Sequence, residues 1–376
     1  MKFAIAGLWL VTCVLTADSQ IVSPTAAYLR EHSQTPVNYV ISKAVSHRIT
    51  IMGEGHWLKQ DVELIEALIP LLQKADIDLA TELLPASEQP RIDKLIAGSK
   101  WDELEANAIM RTASWPYREY RDLLRAAWSV NHGSERPIKV LGLAPSDDWR
   151  KVLLPRGETY DSFMADLVTK HVRETSRRVV VYCGHHHAFT RYYQAELNKD
   201  GSARAYMDRT GNILSRRFGE QVFLITLHKP IWCGSPSASS SSYCLPFGGK
   251  VDCEATKVGH PIGFDVKGSP LADLRFEPAD YYLYGHPGLR FVDFTDGYIW
   301  SGPIESLRSV TLIPLNEYAP DDTSMRQVAH SNPFNGEADV SVARLKEIWA
   351  GQAEARRDIM TNRKWKHLAG WQSRCQ

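Results

Sequence analysis

Five short apolar runs recur along the chain, and stretches with helical spacing separate them. They are HRITIMGEGHW (47–57), IDLATELLP (77–85), IKVLGLAPS (138–146), RRVVVYCGHHHAF (177–189) and EQVFLITLH (220–228). Each is too short for a helix and too continuously apolar for a strand with one wet face. That pattern belongs to strands buried on both sides, as parallel sheets require. Between them, Asp61 to Gln73 sets Val62, Ile65, Leu68, Ile69 and Leu72 at helical spacing. Residues 88–97, 100–130 and 159–175 read as further helices, the second interrupted at Ser114-Trp115-Pro116. Shorter helical patterns open at Ser23-Pro24 and run from Pro36 to Ser46. Strands alternating with helices predict an α/β fold: a central, mostly parallel sheet flanked by helices, with a helical insert. Beyond a Ser-rich loop (234–250), GFDVKGSP, DYYLYGHPG and LRFVDFTDGYIW read as loops and short strands, and a charged helix spans 339–360. This elaborated C-terminal part shows no clean second core, so residues 20–376 read as one α/β domain with its core at about 45–300.

Residues 1–19 read as a removable leader. Lys2 supplies a positive start, Phe3 to Leu15 is almost wholly apolar, and Thr16 to Ser19 are small or polar. This is the layout of a secretory signal peptide, and the run is too short to span a bilayer. The expected location is therefore secreted or periplasmic. Leu10-Val11-Thr12-Cys13 only loosely matches a lipoprotein box, and membrane association would come only through a lipid anchor or an uncleaved leader. Of six cysteines, Cys13 falls in the leader, leaving Cys183, Cys233, Cys244, Cys253 and Cys375. Three of these punctuate the Ser-rich segment, too widely spaced for a structural zinc site, and read as a loop stapled by at least one disulfide. An odd number leaves one thiol over.

Composition narrows the function classes. The chain carries 44 basic and 44 acidic side chains, so it lacks the basic balance of a nucleic-acid binder. It contains no phosphate-binding G-x-x-x-x-G-K-[ST], no H-E-x-x-H, no G-x-S-x-G and no G-x-G-x-x-G after a strand. Cys183 alternates into the VVVYCG strand and reads as a packed residue, not a nucleophile. His228, His260 and His286 read as structural, and Asp265 as an outlying candidate.

The chemistry gathers where the strands stop. Ligands of open parallel sheets bind beyond the carboxyl ends of the strands. The first run delivers Gly53-Glu54-Gly55-His56, the second Glu82, the third Asp147 and Asp148, the fourth Gly184-His185-His186-His187. If the strands stay extended through these motifs, Glu54 and His56 share a face, as do His185 and His187. Glu82 sits inside an apolar run, where a carboxylate is costly unless paired or metal-bound. Asp147 and Asp148 equally suit a helix cap. Carboxylates with imidazoles make either a site for a borderline divalent cation or a general base that activates water.

GEGH (53–56) and GHHH (184–187) are both G-x-x-H, and Glu82 in TELLP lies between them. With this order of motifs, and with the late DYYLYGHPG and FTDGYIW segments, the chain resembles the Tiki/ChaN haem-binding-uptake superfamily, which includes erythromycin-esterase-like proteins. The resemblance implies catalytic roles for Glu54, His56, Glu82 and His187, with an arginine for which Arg118 is chosen over Arg111 and Arg121. It implies that Glu54, His56, Glu82 and His187 would hold a divalent metal (zinc, manganese or cobalt) if one is used. In ChaN-like members it implies haem, for which His185 and His186 are the candidates. The expected function is hydrolysis of an ester or amide bond in a small-molecule or peptide substrate. The alternative is haem or metal uptake without catalysis.

Overall fold

The computed structural model describes residues 23–113, 115–146, 149–198, 202–233, 242–278, 280–331, 333–334, 339–355 and 375. The leader, Asp147, Asp148, residues 234–241 of the Ser-rich loop and the end of the charged helix lie outside the described residues.

Eleven strands appear in chain order: β1 (Ile49–Glu54), β2 (Ile77–Pro85), β3 (Val140–Ala144), β4 (Arg178–Gly184), β5 (Gln194–Leu197), β6 (Ala203–Met207), β7 (Val222–Leu227), β8 (Ile231–Cys233), β9 (Ser242–Cys244), β10 (Ile262–Asp265) and β11 (Gly297–Trp300). Seven of them form one sheet in the order β10-β11-β7-β1-β4-β2-β3. All its pairings are parallel except β10 with β11. The helices that frame the site are α1 (Pro24–His32), α2 (Pro36–Ser46), α3 (Lys59–Lys74), α4 (Gln89–Ala97), α5 (Glu103–Thr112), α6 (Arg118–Asn131), α7 (Trp149–Leu153), α8 (Tyr160–Thr175), α9 (His185–Ala188), α10 (Thr210–Phe218) and α11 (Lys250–Thr256).

The strict alternation of a strand sorts each apolar run into two layers. Met52, Val180, Tyr182, Ile225 and Leu227 point one way, into a core with α3 and α6. Ile49, Ile51, Val179, Val181, Cys183 and Leu224 point the other way, onto α8 and α10. Both faces are covered, which is why the runs read as continuously apolar. The helical insert is two helices, α5 and α6, broken at 113–117 where Pro116 cannot continue a helix. The C-terminal part departs from expectation. Its strands β10 and β11 extend the main sheet, and Phe247, Phe264, Phe276, Phe291 and Trp300 build a second apolar cluster at that edge.

Disulfides join Cys233 to Cys244 and Cys253 to Cys375, and Cys183 remains as a buried thiol. The first staples the β8–β9 hairpin at the base of the Ser-rich loop. Two disulfides fit an oxidising, extracellular or periplasmic setting. Among the described residues, no helix is long and apolar enough to cross a membrane.

Candidate active site

Parallel strands bring their carboxyl ends to one edge of the sheet, and the motifs converge there. β1 ends in Glu54, and β4, its neighbour, ends in Gly184, its register partner. β2 pairs with β4 through Thr81, and its register with β3 shifts between Thr81 and Pro85. Such an irregularity re-aims a side chain, and Glu82 falls in it.

Two histidine–carboxylate pairs face Glu82. His56 Nδ1 lies 2.5 Å from Glu54 Oε1. His187 Nδ1 lies 2.7 Å from Asp161 Oδ1, and its Nε2 lies 3.3 Å from Glu82 Oε1. Glu82 Oε2 accepts the Gly184 N–H at 2.7 Å, and the Tyr160 hydroxyl also donates to Glu82. Gly184 is required by close approach. A Cβ there would lie 2.8 Å from His56 Cε1, 2.9 Å from His56 Nε2 and 3.3 Å from Glu82 Oε2. Both imidazoles thus commit Nδ1 to a carboxylate and turn Nε2 toward the centre, the arrangement that fixes tautomer and orientation.

Asp161, in the first turn of α8, is itself tightly held. Its Oδ1 accepts the Thr210 N–H and Oγ1, each at 2.9 Å, and its Oδ2 accepts Arg209 Nη1 at 3.1 Å. A helix N-terminus is a favourable place for a carboxylate.

These contacts set the charge states. Burial pulls His56 toward the neutral form, but the Glu54 carboxylate and its hydrogen bond outweigh it and lift the imidazole to about 9. His187 is raised too, because Glu82 and Asp161 overcome the cost of burial. Burial would raise Glu82 and Asp161, yet the imidazole charges, with backbone N–H groups, hold both carboxyls below the usual range. The centre is therefore a chain of alternating charge: Glu54, His56, Glu82, His187, Asp161, Arg209.

An aromatic cleft of about 370 Å³ opens beside this chain, with Trp57, Trp115, Trp149 and Tyr160 in its walls. Trp115 packs on His56 with ring centroids 5.3 Å apart, and Tyr160 stacks on His187 at 5.1 Å and 27°. Trp57 adopts the left-handed backbone region at φ 72°, which costs a bulky residue roughly 1–3 kcal/mol. Hydrogen bonds on both sides hold it there: Trp57 N–H donates to Tyr120 Oη at 2.9 Å, and Trp57 O accepts Val310 N–H at 2.9 Å.

No protein-family model matches the chain, and no curated protein matches it in sequence. Solved structures do. A succinoglycan biosynthesis protein is 9% identical, with 78% of this chain and 99% of that one covered at a TM-score of 0.55. The chain shares that fold. Also similar are an erythromycin esterase mutant in its open conformation (10% identity, 76% and 98% covered, TM-score 0.46) and ChaN of Campylobacter jejuni with cofacially bound haem (16%, 50% and 84%, TM-score 0.32). Both names suggested by the paired G-x-x-H motifs are thus among the matching structures.

Of the predicted site residues, the structure brings Glu54, His56, Glu82 and His187 together. It does not bring Arg118, which is exposed at the first turn of α6, its backbone N–H bonded to Thr311 O at 2.8 Å. Arg121 pairs with Glu103, and Arg111 donates to Tyr318 O, so neither supplies the cation. Arg209 does, through Asp161. The shared face expected for His185 and His187 is also corrected. Gly184 ends the strand and His185–Ala188 form a helical turn, so the two side chains diverge. His185 is 3% exposed in a cage of Phe189, Tyr282 and Phe294. His186 Nε2 lies 3.1 Å from Tyr282 Oη. Burial, then the Lys229 charge, holds both imidazoles well below their ordinary range. Neither ring points to the His56–Glu82–His187 centre: each packs among the aromatic side chains around Tyr282.

The metal expectation fares similarly. Among the described residues, no group of three or more His, Cys, Asp or Glu side chains is disposed to hold a metal ion. Each Nδ1 is committed to a carboxylate, while both Nε2 atoms remain on the side of Glu82. Asp265 lies away from the centre, bonded to Tyr39 and Lys43. His260 and His286 keep to loops, bonded to backbone carbonyls.

Sequence reasoning missed Asp161, Arg209 and Lys229. Asp161 hides in Thr-Tyr-Asp-Ser, an ordinary helix-opening word whose Thr159 and Ser162 do form a capping box. Lys229 was within reach of the same end-of-strand argument, two residues after β7. Its side chain packs on Gly55, and burial lowers its ammonium to about 8 despite the charges of Glu54 and Asp61.

Proposed function

We propose that this protein is a secreted hydrolase that splits an ester or amide bond with a water molecule activated by a histidine–carboxylate pair. What carries the reading is the convergence of the His56–Glu54 and His187–Asp161 pairs on Glu82, behind the Trp115 and Tyr160 walls of the aromatic cleft. Two imidazoles with Nε2 turned to one spot supply an acid and a base on either side of a reacting carbonyl.

The roles follow from the partners. His187 is clamped between Asp161 and Glu82, which favour its protonated form, and this suits it to stabilise the carbonyl oxygen and protonate the leaving group. His56, backed by a single carboxylate and with 32% of its side chain exposed, is the base that takes the proton of water in its neutral form, which gains population as pH rises toward about 9. Glu82 keeps the two rings apart in charge and orientation. Water adds to the carbonyl carbon, the bond to the leaving oxygen or nitrogen breaks, and the proton from water passes by way of the histidines to the leaving group. No other reactant is needed. The leader-like N-terminus and two disulfides support export.

The test is hydrolysis of p-nitrophenyl acetate by the purified chain, with metal content measured alongside. Turnover is expected to survive a chelator and to be lost in His56→Ala and His187→Ala. Turnover that tracks bound metal, or survives both substitutions, overturns the reading. A haemin titration gives the competing class its chance, through a Soret shift that depends on His56.

A further inference from the structure

Resting on the hydrolase reading, we propose that the substrate is an acylated sugar, its neutral ring seated on Trp57 and Trp115 with the acyl group directed toward His56 and His187. Three observations on the cleft point to this class.

The first is charge. Among the described residues that line the cleft, none is Lys, Arg, Asp or Glu; its polar side chains are Thr112, Ser146 and Gln352, with the hydroxyls of Tyr117 and Tyr160 and the indole N–H groups of its tryptophans. Hydroxyls and an amide recognise hydroxyl groups, whereas a phosphorylated or carboxylated ligand calls for a cation facing it.

The second is ring geometry. A flat fused aromatic is best held between parallel faces, and the cleft offers none. Trp57 and Trp115 meet at 58° with centroids 6.5 Å apart, and Trp149 meets Tyr160 at 80°. Splayed indoles instead form a wedge that takes the C–H face of a saturated ring and leaves its hydroxyl rim free for hydrogen bonds.

The third is the placement of Trp57. It follows His56 directly, is 36% exposed, and is held in a left-handed backbone by bonds to Tyr120 and Val310. Strain maintained from both sides at an exposed tryptophan beside the reacting centre marks a side chain set for a ligand. In this substrate the leaving group is a sugar hydroxyl (or amine), released with the carboxylic acid.

The experiment has a binding arm and a turnover arm, both on the full chain. Tryptophan fluorescence of the inactive His187→Ala variant is followed during titration with methyl glucopyranoside oligomers and, separately, with 2-naphthyl acetate. Saturable quenching by the sugar, lost when Trp115→Ala is added, is the expected result. In the otherwise unaltered enzyme, Trp57→Ala and Trp115→Ala raise KM for an O-acetyl glucoside about tenfold or more. Trp115→Phe, which keeps a packed ring, separates platform loss from misfolding. No sugar quenching, or Trp115-dependent binding of 2-naphthyl acetate or haemin alone, overturns the proposal. If the hydrolase reading alone is wrong, neither ester turns over and the sugar still quenches.

Discussion

Among the described residues histidine–carboxylate pairs recur, His171 with Asp78 for one, and two of these arrays, built from the same residue types, differ in what their ring nitrogens face. At the β7–β11 edge, His228 Nε2 lies 2.8 Å from Asp252 Oδ1 and its Nδ1 lies 2.7 Å from Tyr298 Oη. Trp300 Nε1–H donates to the same Asp252 oxygen at 3.2 Å. Both His228 and Asp252 are 0% exposed. Every ring nitrogen there is spent on protein, so the array braces α11 against the sheet. At the centre of the sheet, His56 and His187 keep 32% and 20% of their side chains exposed, with Nε2 turned to a shared carboxylate beside a cleft. Pairing a histidine with a carboxylate is thus a device of stability or of chemistry. What decides is whether a nitrogen is left facing space where a ligand can come.

Single substitutions should pull the two arrays apart. His187→Ala or His56→Ala is expected to lower turnover about 10²–10⁴-fold, the usual worth of a positioned acid or base, with the melting temperature little changed. His228→Ala should do the reverse. It strands Asp252 without its imidazole, which costs roughly 3–5 kcal/mol of stability, while turnover per folded molecule holds. Esterase assays with thermal melts on the three variants check this, and equal behaviour of all three would dissolve the distinction.

Gly184→Ala is expected next in size. The added methyl meets the His56 ring and Glu82, so the ring must swing out, and a misplacement of about 1 Å costs on the order of 10²-fold in turnover. Overpacking adds roughly 1–3 kcal/mol of lost stability. Restored activity in a His56→Gly, Gly184→Ala double variant supplied with imidazole would confirm that steric displacement, not misfolding, is the fault.

The central array should also respond to pH. Glu54 lifts His56 to about 9, so turnover that needs the neutral imidazole should rise with pH through about 9, and Glu54→Gln should bring that limb down toward the ordinary histidine range. The sign for stability is opposite. Because the folded-state value lies above the ordinary 6.5, the pair's contribution is whole below about 6.5 and is lost as pH climbs through about 9. Rate profiles and melts from pH 5 to 10 on both proteins test the pair of signs.

The strands and their order of function were legible because burial on both faces leaves an unbroken apolar word, and β2 falls on the expected 77–85. The strand ends named four of the centre's residues, since a parallel sheet must bring those ends together whatever the loops do. What stayed hidden reaches the centre from elsewhere. Asp161 opens a helix, and Arg209 precedes one that packs beside it, and nothing in either local pattern differs from an ordinary cap. His185 was misjudged for a related reason: three histidines in a row look equivalent until a helical turn at Gly184 sends one into an aromatic cage. The tail misled because aromatic residues scattered through loops show no period, yet they condense into a cluster once β10 and β11 join the sheet.

The smallest expected effect concerns the arginine. Arg118 is exposed and offers the centre no contact, so Arg118→Ala should change stability by no more than about 0.5 kcal/mol and leave turnover alone. Arg209 is different. Its guanidinium donates to Asp161 at 3.1 Å and to Gln194, so it acts on the reaction only through the His187–Asp161 pair. Arg209→Ala should therefore lower kcat only modestly, because Thr210 still holds Asp161 by two bonds at 2.9 Å, and should move His187's limb upward, because the Arg209 charge opposes protonation of that ring. A large loss from Arg118→Ala would mean that the helical insert moves toward the centre when substrate binds, and that the cleft closes on its ligand.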